Sequence, residues 1–111
     1  MGIKLWIDDV RPAPEGYVWC KSANEAKLFI RENYNKIDEI SLDHDAGDYA
    51  EEGGDFIEVL NEMERLSESP RWESVYSDVF RRYNFYLHSA NPVGVQNMRR
   101  IIERNGWKEI R

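Results

Sequence analysis

The sequence predicts an α/β fold built on a mainly parallel sheet. Two observations carry this. Short apolar runs that read as strands alternate with longer segments whose apolar residues recur at three- and four-residue steps. Three of the strand-like runs also end in polar clusters: Asp8-Asp9, Asp43-His44-Asp45 and His88-Ser89. Open parallel sheets bind ligands beyond the carboxyl ends of their strands, so such endings are what this class requires.

The elements follow in order. Ile3 to Asp8 reads as a buried strand. Val10 to Gly16 is a loop, because Pro12, Pro14 and Gly16 resist regular structure. Tyr17 to Cys20 is a second, short strand. Ser22 and Glu25 have capping-box spacing ahead of Ala26, Phe29 and Ile30, which predicts a helix over Ala23 to Asn33. Asp38 to Asp43 is the third strand, followed by an acidic, glycine-bearing loop from Ala46 to Gly54. A helix from Asp55 to about Leu66 places Phe56, Val59, Leu60 and Met63 on one face. After the stop at Ser69-Pro70, the spacing of Trp72, Val75, Tyr76, Val79, Phe80 and Tyr83 predicts an amphipathic helix whose stripe is core. Asn84 to Ser89 is the fourth strand. Asn91 as N-cap and Pro92 at the first helical position open the last helix, with Met98, Ile101 and Ile102 inside. Asn105-Gly106 ends it, and the segment from Trp107 to Ile110 adds a fifth, edge strand. The link from strand one to strand two is short. Eight residues, Asp9 to Gly16, make either a tight irregular crossover or an antiparallel second strand, since parallel crossovers usually take about a dozen.

Composition narrows the class. At 111 residues the chain is long enough for a single domain over 1–111 with one modest core, and four Trp, six Tyr and four Phe supply large buried areas. Cys20 is the only cysteine, so no internal disulfide forms and a cytoplasmic setting is expected. No apolar run approaches the roughly 20 residues of a membrane helix. The net charge is −6 and the pI about 4.9, which argues against duplex DNA as a partner. A small anion remains acceptable where a metal or local donors offset the acid.

The candidate chemistry lies in the polar endings. Asp8, Asp9, Asp43 and Asp45 are carboxylates that would repel one another in one crevice, a conflict usually relieved by a cation or a raised pKa. Oxygen donors favour Mg²⁺ or Mn²⁺. The chain has only two histidines, His44 and His88, and both end strands. One neutral imidazole takes a proton from water while a charged one delivers a proton to a leaving oxygen. Asn91 needs no role beyond its cap. The helix it opens presents the N–H groups of Val93 and Gly94 and a positive dipole end, which suit a phosphate. Arg11 and Ser89 are further phosphate partners, and Arg11 also pairs with carboxylates.

Asp8-Asp9, Asp43 and Ser89-Ala90 resemble the endings of strands one, three and four in response-regulator receiver domains. There an acidic pair holds Mg²⁺ and the strand-three aspartate accepts a phosphoryl group. The resemblance implies a small three-layer, flavodoxin-like sheet of strand order 2-1-3-4-5. The chain departs from that pattern in three ways. A loop replaces the first helix, the lysine expected after strand five is missing, and both histidines are extra. "LWIDDVRPAP", "SLDHDAGD" and "HSANPVGVQNM" are more similar to the divergent group called cyclic-phosphate processing receiver domains. Ala46 stands where a larger apolar residue is expected.

That resemblance implies metal-assisted cleavage of a cyclic phosphate on a small phosphorylated molecule, such as a cyclic nucleotide, or on an RNA end. Asp8, Asp9, Asp43 and Asp45 would hold Mg²⁺ or Mn²⁺. His44 and His88 would share acid and base roles with Asp43 beside them, and Arg11, Ser89, Asn91, Val93 and Gly94 would hold phosphate oxygens. The alternatives are a receiver that accepts phosphate on Asp43 and a module that binds a cyclic nucleotide without cutting it.

Overall fold

The computed structural model describes residues 2–68 and 73–111. Five strands form one sheet: β1 (Ile3–Ile7), β2 (Tyr17–Cys20), β3 (Ile37–Leu42), β4 (Asn84–Leu87) and β5 (Lys108–Glu109). Their order is 2-1-3-4-5, and every pairing is parallel. The four helices are α1 (Ala23–Asn33), α2 (Ile57–Ser67), α3 (Glu73–Phe80) and α4 (Pro92–Arg104). This is the α/β receiver-like arrangement with the expected strand order.

The local signals explain the boundaries. The Ser22 hydroxyl accepts the Glu25 N–H at the start of α1, and Glu25 reaches back to the N–H of Lys21. Asn91 caps α4 through Gly94, with Pro92 at its first position. Gly106 leaves α4 at a φ of +71°, a backbone that glycine adopts without strain. Three details differ from the sequence reading. α2 begins at Ile57 rather than Asp55, because the Asp55 carboxylate is turned back to accept the N–H of Ala46. The acidic loop contains a short 3₁₀ turn, Gly47–Tyr49. Strand β4 ends at Leu87, so His88 and Ser89 follow it rather than finish it. Ser69, Pro70, Arg71 and Trp72, read as a stop signal and the start of a helix, lie outside the described residues.

The link between β1 and β2 is a tight crossover, and β2 is parallel. The Asp8–Gly16 loop makes the connection, held by Trp6 Nε1 on the Arg11 carbonyl at 2.9 Å and Trp19 Nε1 on the Asp8 carbonyl at 2.8 Å. Indole N–H groups thus take up carbonyls that a helix would otherwise satisfy internally.

The layering is the main correction. Helix α2 touches α1, α3 and α4, and all four helices lie on one face of the sheet. The strand residues on that face are Leu5, Ile7, Cys20, Ile40, Leu42 and Phe85, all buried in one core with residues of α1, α2 and α4. The other face carries Lys4, Trp6, Tyr17, Trp19, Glu39, Ser41 and Tyr86, and no helix of the described residues covers it. The sheet is therefore covered on one side, in two layers rather than three. Handedness gives the reason. The crossovers from β2 to β3, β3 to β4 and β4 to β5 all step in one direction, so right-handed connections put their helices on one face. Only the step from β1 to β2 runs the other way, and there the chain supplies a proline-bearing loop.

Candidate active site

The strand order reverses at β1, so β1 and β3 flank the switch point where open α/β sheets bind ligands. Asp8 and Asp9 follow β1, and Asp43 follows β3. The Asp43 N–H donates to the Ile7 carbonyl at 2.9 Å, which continues the pairing of β3 with β1 and brings the two acidic endings together. One carboxylate oxygen from each of Asp8, Asp9 and Asp43 lies within 4.8 Å of the others.

Each carboxylate is held differently. Asp8 is fully buried. Its Oδ1 accepts the N–H groups of Val10 and Arg11, both at 3.0 Å, and its Oδ2 is 2.9 Å from His88 Nε2. Burial alone would raise its pKa, but these donors together hold the carboxyl below its ordinary value. A carboxylate offers about four lone-pair positions, and three are taken, which leaves one on Oδ2. Asp43 Oδ1 accepts the His44 N–H at 2.8 Å. Asp9 is pushed above its ordinary value by burial and by the negative charges of Asp8 and Asp43. Gly47, at a φ of +54°, lies against it: a Cβ there would stand 2.3 Å from Asp9 Oδ2.

A divalent cation fits this donor set. The donors are all carboxylate oxygens, Asp8 has a single open position, and the charge that lifts Asp9 is what a cation neutralises. Asp45 sits elsewhere. It groups with His44 and Asp55, accepting His44 Nδ1–H at 2.8 Å and Asn91 Nδ2–H at 3.4 Å, which holds its carboxyl below the ordinary range.

The two histidines occupy opposite sides of the sheet. The His88 ring lies on the uncovered face, stacked on Trp6 with centroids 3.9 Å apart and planes 6° from parallel. Its Nε2 faces Asp8 and its Nδ1 is 2.8 Å from Ser41 Oγ. Burial holds this imidazole below its ordinary pKa against the pull of Asp8. Both of its nitrogens are occupied. The His44 ring packs on the other side against the start of α4, where a Cβ on Gly94 would come within 2.4 Å of it. With Nδ1 on Asp45, its Nε2 has no hydrogen-bond partner among the described residues. The sequence reading shares acid and base work between the two rings, whereas the geometry separates them.

The phosphate candidates also divide. The Gly94 N–H donates to Asn91 Oδ1 at 3.0 Å, so it is already used by the cap. Val93 N–H has no acceptor among the described residues, and Val93 is 70% exposed. Ser89 Oγ accepts the Asn91 N–H at 3.1 Å and keeps its own proton to donate. Arg11 Nη1 donates to the His88 carbonyl at 2.7 Å, which ties the β1–β2 loop to the end of β4. Ser41, Trp6 and Gly47 were missed by sequence reasoning. A serine between Ile40 and Leu42 in a central strand was the available signal for Ser41, because such strands are normally apolar throughout.

Neither the curated proteins nor the solved structures compared with this chain give a match. The family model of the cyclic-phosphate processing receiver domain matches residues 3–104, across all four helices and four of the five strands, and the chain belongs to that family.

Proposed function

We propose that the protein is a metal-dependent phosphodiesterase that opens cyclic phosphates on a nucleotide or an RNA end. The observation that carries this reading is the meeting of Asp8, Asp9 and Asp43 at the switch point, on the side of the sheet ends where α4 begins. Asp8, Asp9 and Asp43 hold Mg²⁺ or Mn²⁺. When bound, such an ion neutralises phosphate charge and lowers the pKa of water.

The chain's own residues do the rest. His44 is the general base: Asp45 fixes its Nδ1–H, so Nε2 presents a lone pair to a water proton. His44 then returns that proton to the leaving ribose oxygen. Val93 N–H, the Ser89 hydroxyl and the free N–H groups of Arg11 bind phosphate oxygens, aided by the positive end of the α4 dipole. His88 does not move protons in this scheme but orients Asp8. A single buried cysteine suits a reducing compartment such as the cytoplasm.

The test is to incubate the pure protein with cyclic nucleotides and 2′,3′-cyclic-phosphate RNA ends, with and without Mg²⁺ or Mn²⁺, and to weigh the products. Ring-opened monoester, formed only with metal, is expected. His44→Ala should lower turnover by about 10² to 10⁴, with ligand binding kept within a few-fold. Tight binding of a cyclic nucleotide without any product would favour sequestration. Label taken up on Asp43 from a small phosphodonor would favour a signalling receiver.

A further inference from the structure

Asp9 is constrained differently from its two neighbours. Asp8 and Asp43 are fixed by N–H donors, from Val10, Arg11 and His44. Asp9 stands against a wall of backbone. A Cβ on Gly47 would lie 2.3 Å from Asp9 Oδ2 and 3.4 Å from its Cγ. Gly47 opens the 3₁₀ turn Gly47–Tyr49 at a φ of +54°.

That turn is anchored on both sides. Ala46, just before it, is fully buried, and its N–H is held by Asp55 Oδ1 at 3.0 Å. The Ala46 and Gly47 carbonyls accept the N–H groups of Tyr49 at 2.9 Å and Ala50 at 3.1 Å. Further along, the Glu52 carbonyl accepts the Asn24 N–H at 3.0 Å, which ties the loop to the start of α1. The Asp9 carboxylate, at the free end of a side chain, is the softer partner. A methyl at position 47 would drive Oδ2 back by about 1 Å to reach van der Waals contact. Metal–ligand distances tolerate only about 0.2 Å. The displacement is cheap for the fold and large for an ion site.

We infer that Gly47 is a positioning residue for the cation: its missing side chain is the space that lets the Asp9 carboxylate meet those of Asp8 and Asp43. This rests on reading the three carboxylates as a cation site. It adds a residue of the β3–α2 loop that acts through Asp9 rather than on the ion. Outer partners of metal ligands change affinity by about 10- to 100-fold, and Gly47→Ala belongs in that range.

Gly16 supplies the control. Its φ is also positive, at +89°, but a Cβ there would meet nothing within 4 Å. Alanine strains the backbone at either position, and only at position 47 does it meet Asp9. The measurements are Mn²⁺ affinity by calorimetry and metal-free urea unfolding, both on the full chain. Gly47→Ala should bind Mn²⁺ about 10- to 100-fold more weakly while losing no more stability than Gly16→Ala. The Gly16→Ala protein should bind as the wild type does. In an Asp9→Ala background, Gly47→Ala should weaken binding no further. If Gly47→Ala fails to fold, Gly47→Asn carries the same Cβ on a residue that visits this backbone region more readily. Four outcomes would overturn the inference and leave the cation site standing: wild-type affinity in the Gly47 variant, an equal affinity loss in Gly16→Ala, a full second loss in the Asp9→Ala background, or an affinity loss matched by a stability loss well beyond that of Gly16→Ala. A wild type that binds no Mn²⁺ would overturn the cation reading itself, and the inference with it.

Discussion

The two faces of the sheet are made from the same strands but solve different problems. On the helix-covered face Leu5, Ile7, Ile40, Leu42 and Phe85 are fully buried and carry no polar side-chain atom. On the other face, one residue along each strand, stand Trp6, Trp19, Ser41 and Tyr86, with Lys4 and Glu39 among them. Tyr17 donates its hydroxyl to Glu39, and this acceptor pushes the phenol up to about 12. Each face ends in one histidine. His44 leans on α4 with a free nitrogen, while His88 lies on Trp6 with none. The covered face supplies folding free energy. The uncovered face supplies aromatic walls and polar partners that hold Asp8.

The comparison breaks most readily at Phe85 and Tyr86, neighbours in β4 that point to opposite faces. Phe85→Ala should cost about 3–5 kcal/mol by urea unfolding. Tyr86→Ala, on the half-buried side, should cost about 1 kcal/mol. Equal costs would mean that the second face is also covered in solution.

A cation should strengthen the switch-point end without touching either face. Mg²⁺ or Mn²⁺ at a hundredfold excess over its dissociation constant adds about 2.7 kcal/mol. Melting should shift upward in the wild type and not in Asp43→Ala. A similar rise in both would place the ion elsewhere.

Gly94→Ala probes the helical side. Helix propensity favours Ala by up to about 1 kcal/mol. Forcing a methyl into the His44 ring, at contacts as short as 2.4 Å, costs about 1–3 kcal/mol. The clash wins, so stability should fall by about 1 kcal/mol and turnover with it. A gain in stability would show that the His44 ring moves aside freely.

The smallest effect concerns pH. Burial lowers the His88 pKa, so the unfolded chain binds that proton first. Its contribution is full above the unfolded value near 6.5 and is lost as pH falls through the folded value. The lowered Asp8 pKa adds a second loss of the same sign at more acidic pH. Asp9 acts oppositely, since the fold favours its protonated form. The melting temperature should therefore decline on acidification below about pH 6.5, and His88→Gln should flatten the first part of that decline. Phe85→Ala should lower the whole curve without changing its shape.

The element signals were readable because they are local. Ser22, Asn91-Pro92 and Gly106 act within a few residues of the helix ends they define, and the spacing of Val59, Leu60 and Met63 states which side of α2 is buried. Asp8, Asp9 and Asp43 stood out because carboxylates at strand ends have few purely structural uses. Ser41 and Trp6 did not, because a serine or tryptophan in a strand acquires its meaning only from what crosses in front of it. Gly47 and Gly94 were equally silent about the side chains they make room for.

The sequence by itself thus determined the alternation of strands and helices, the strand order through its family resemblance, and the acidic endings, since propensity, capping and side-chain period are properties of neighbouring residues. Tertiary structure alone decided the rest. It left one sheet face without a helix among the described residues, because handedness and a short loop act on the whole chain. It grouped Asp45 with His44 and Asp55 rather than with Asp8, Asp9 and Asp43, and gave Gly94 N–H to Asn91. It also tied one histidine and freed the other, because a ring nitrogen is claimed by whichever donor or acceptor the fold carries to it, and for His88 those partners are 47 and 80 residues away.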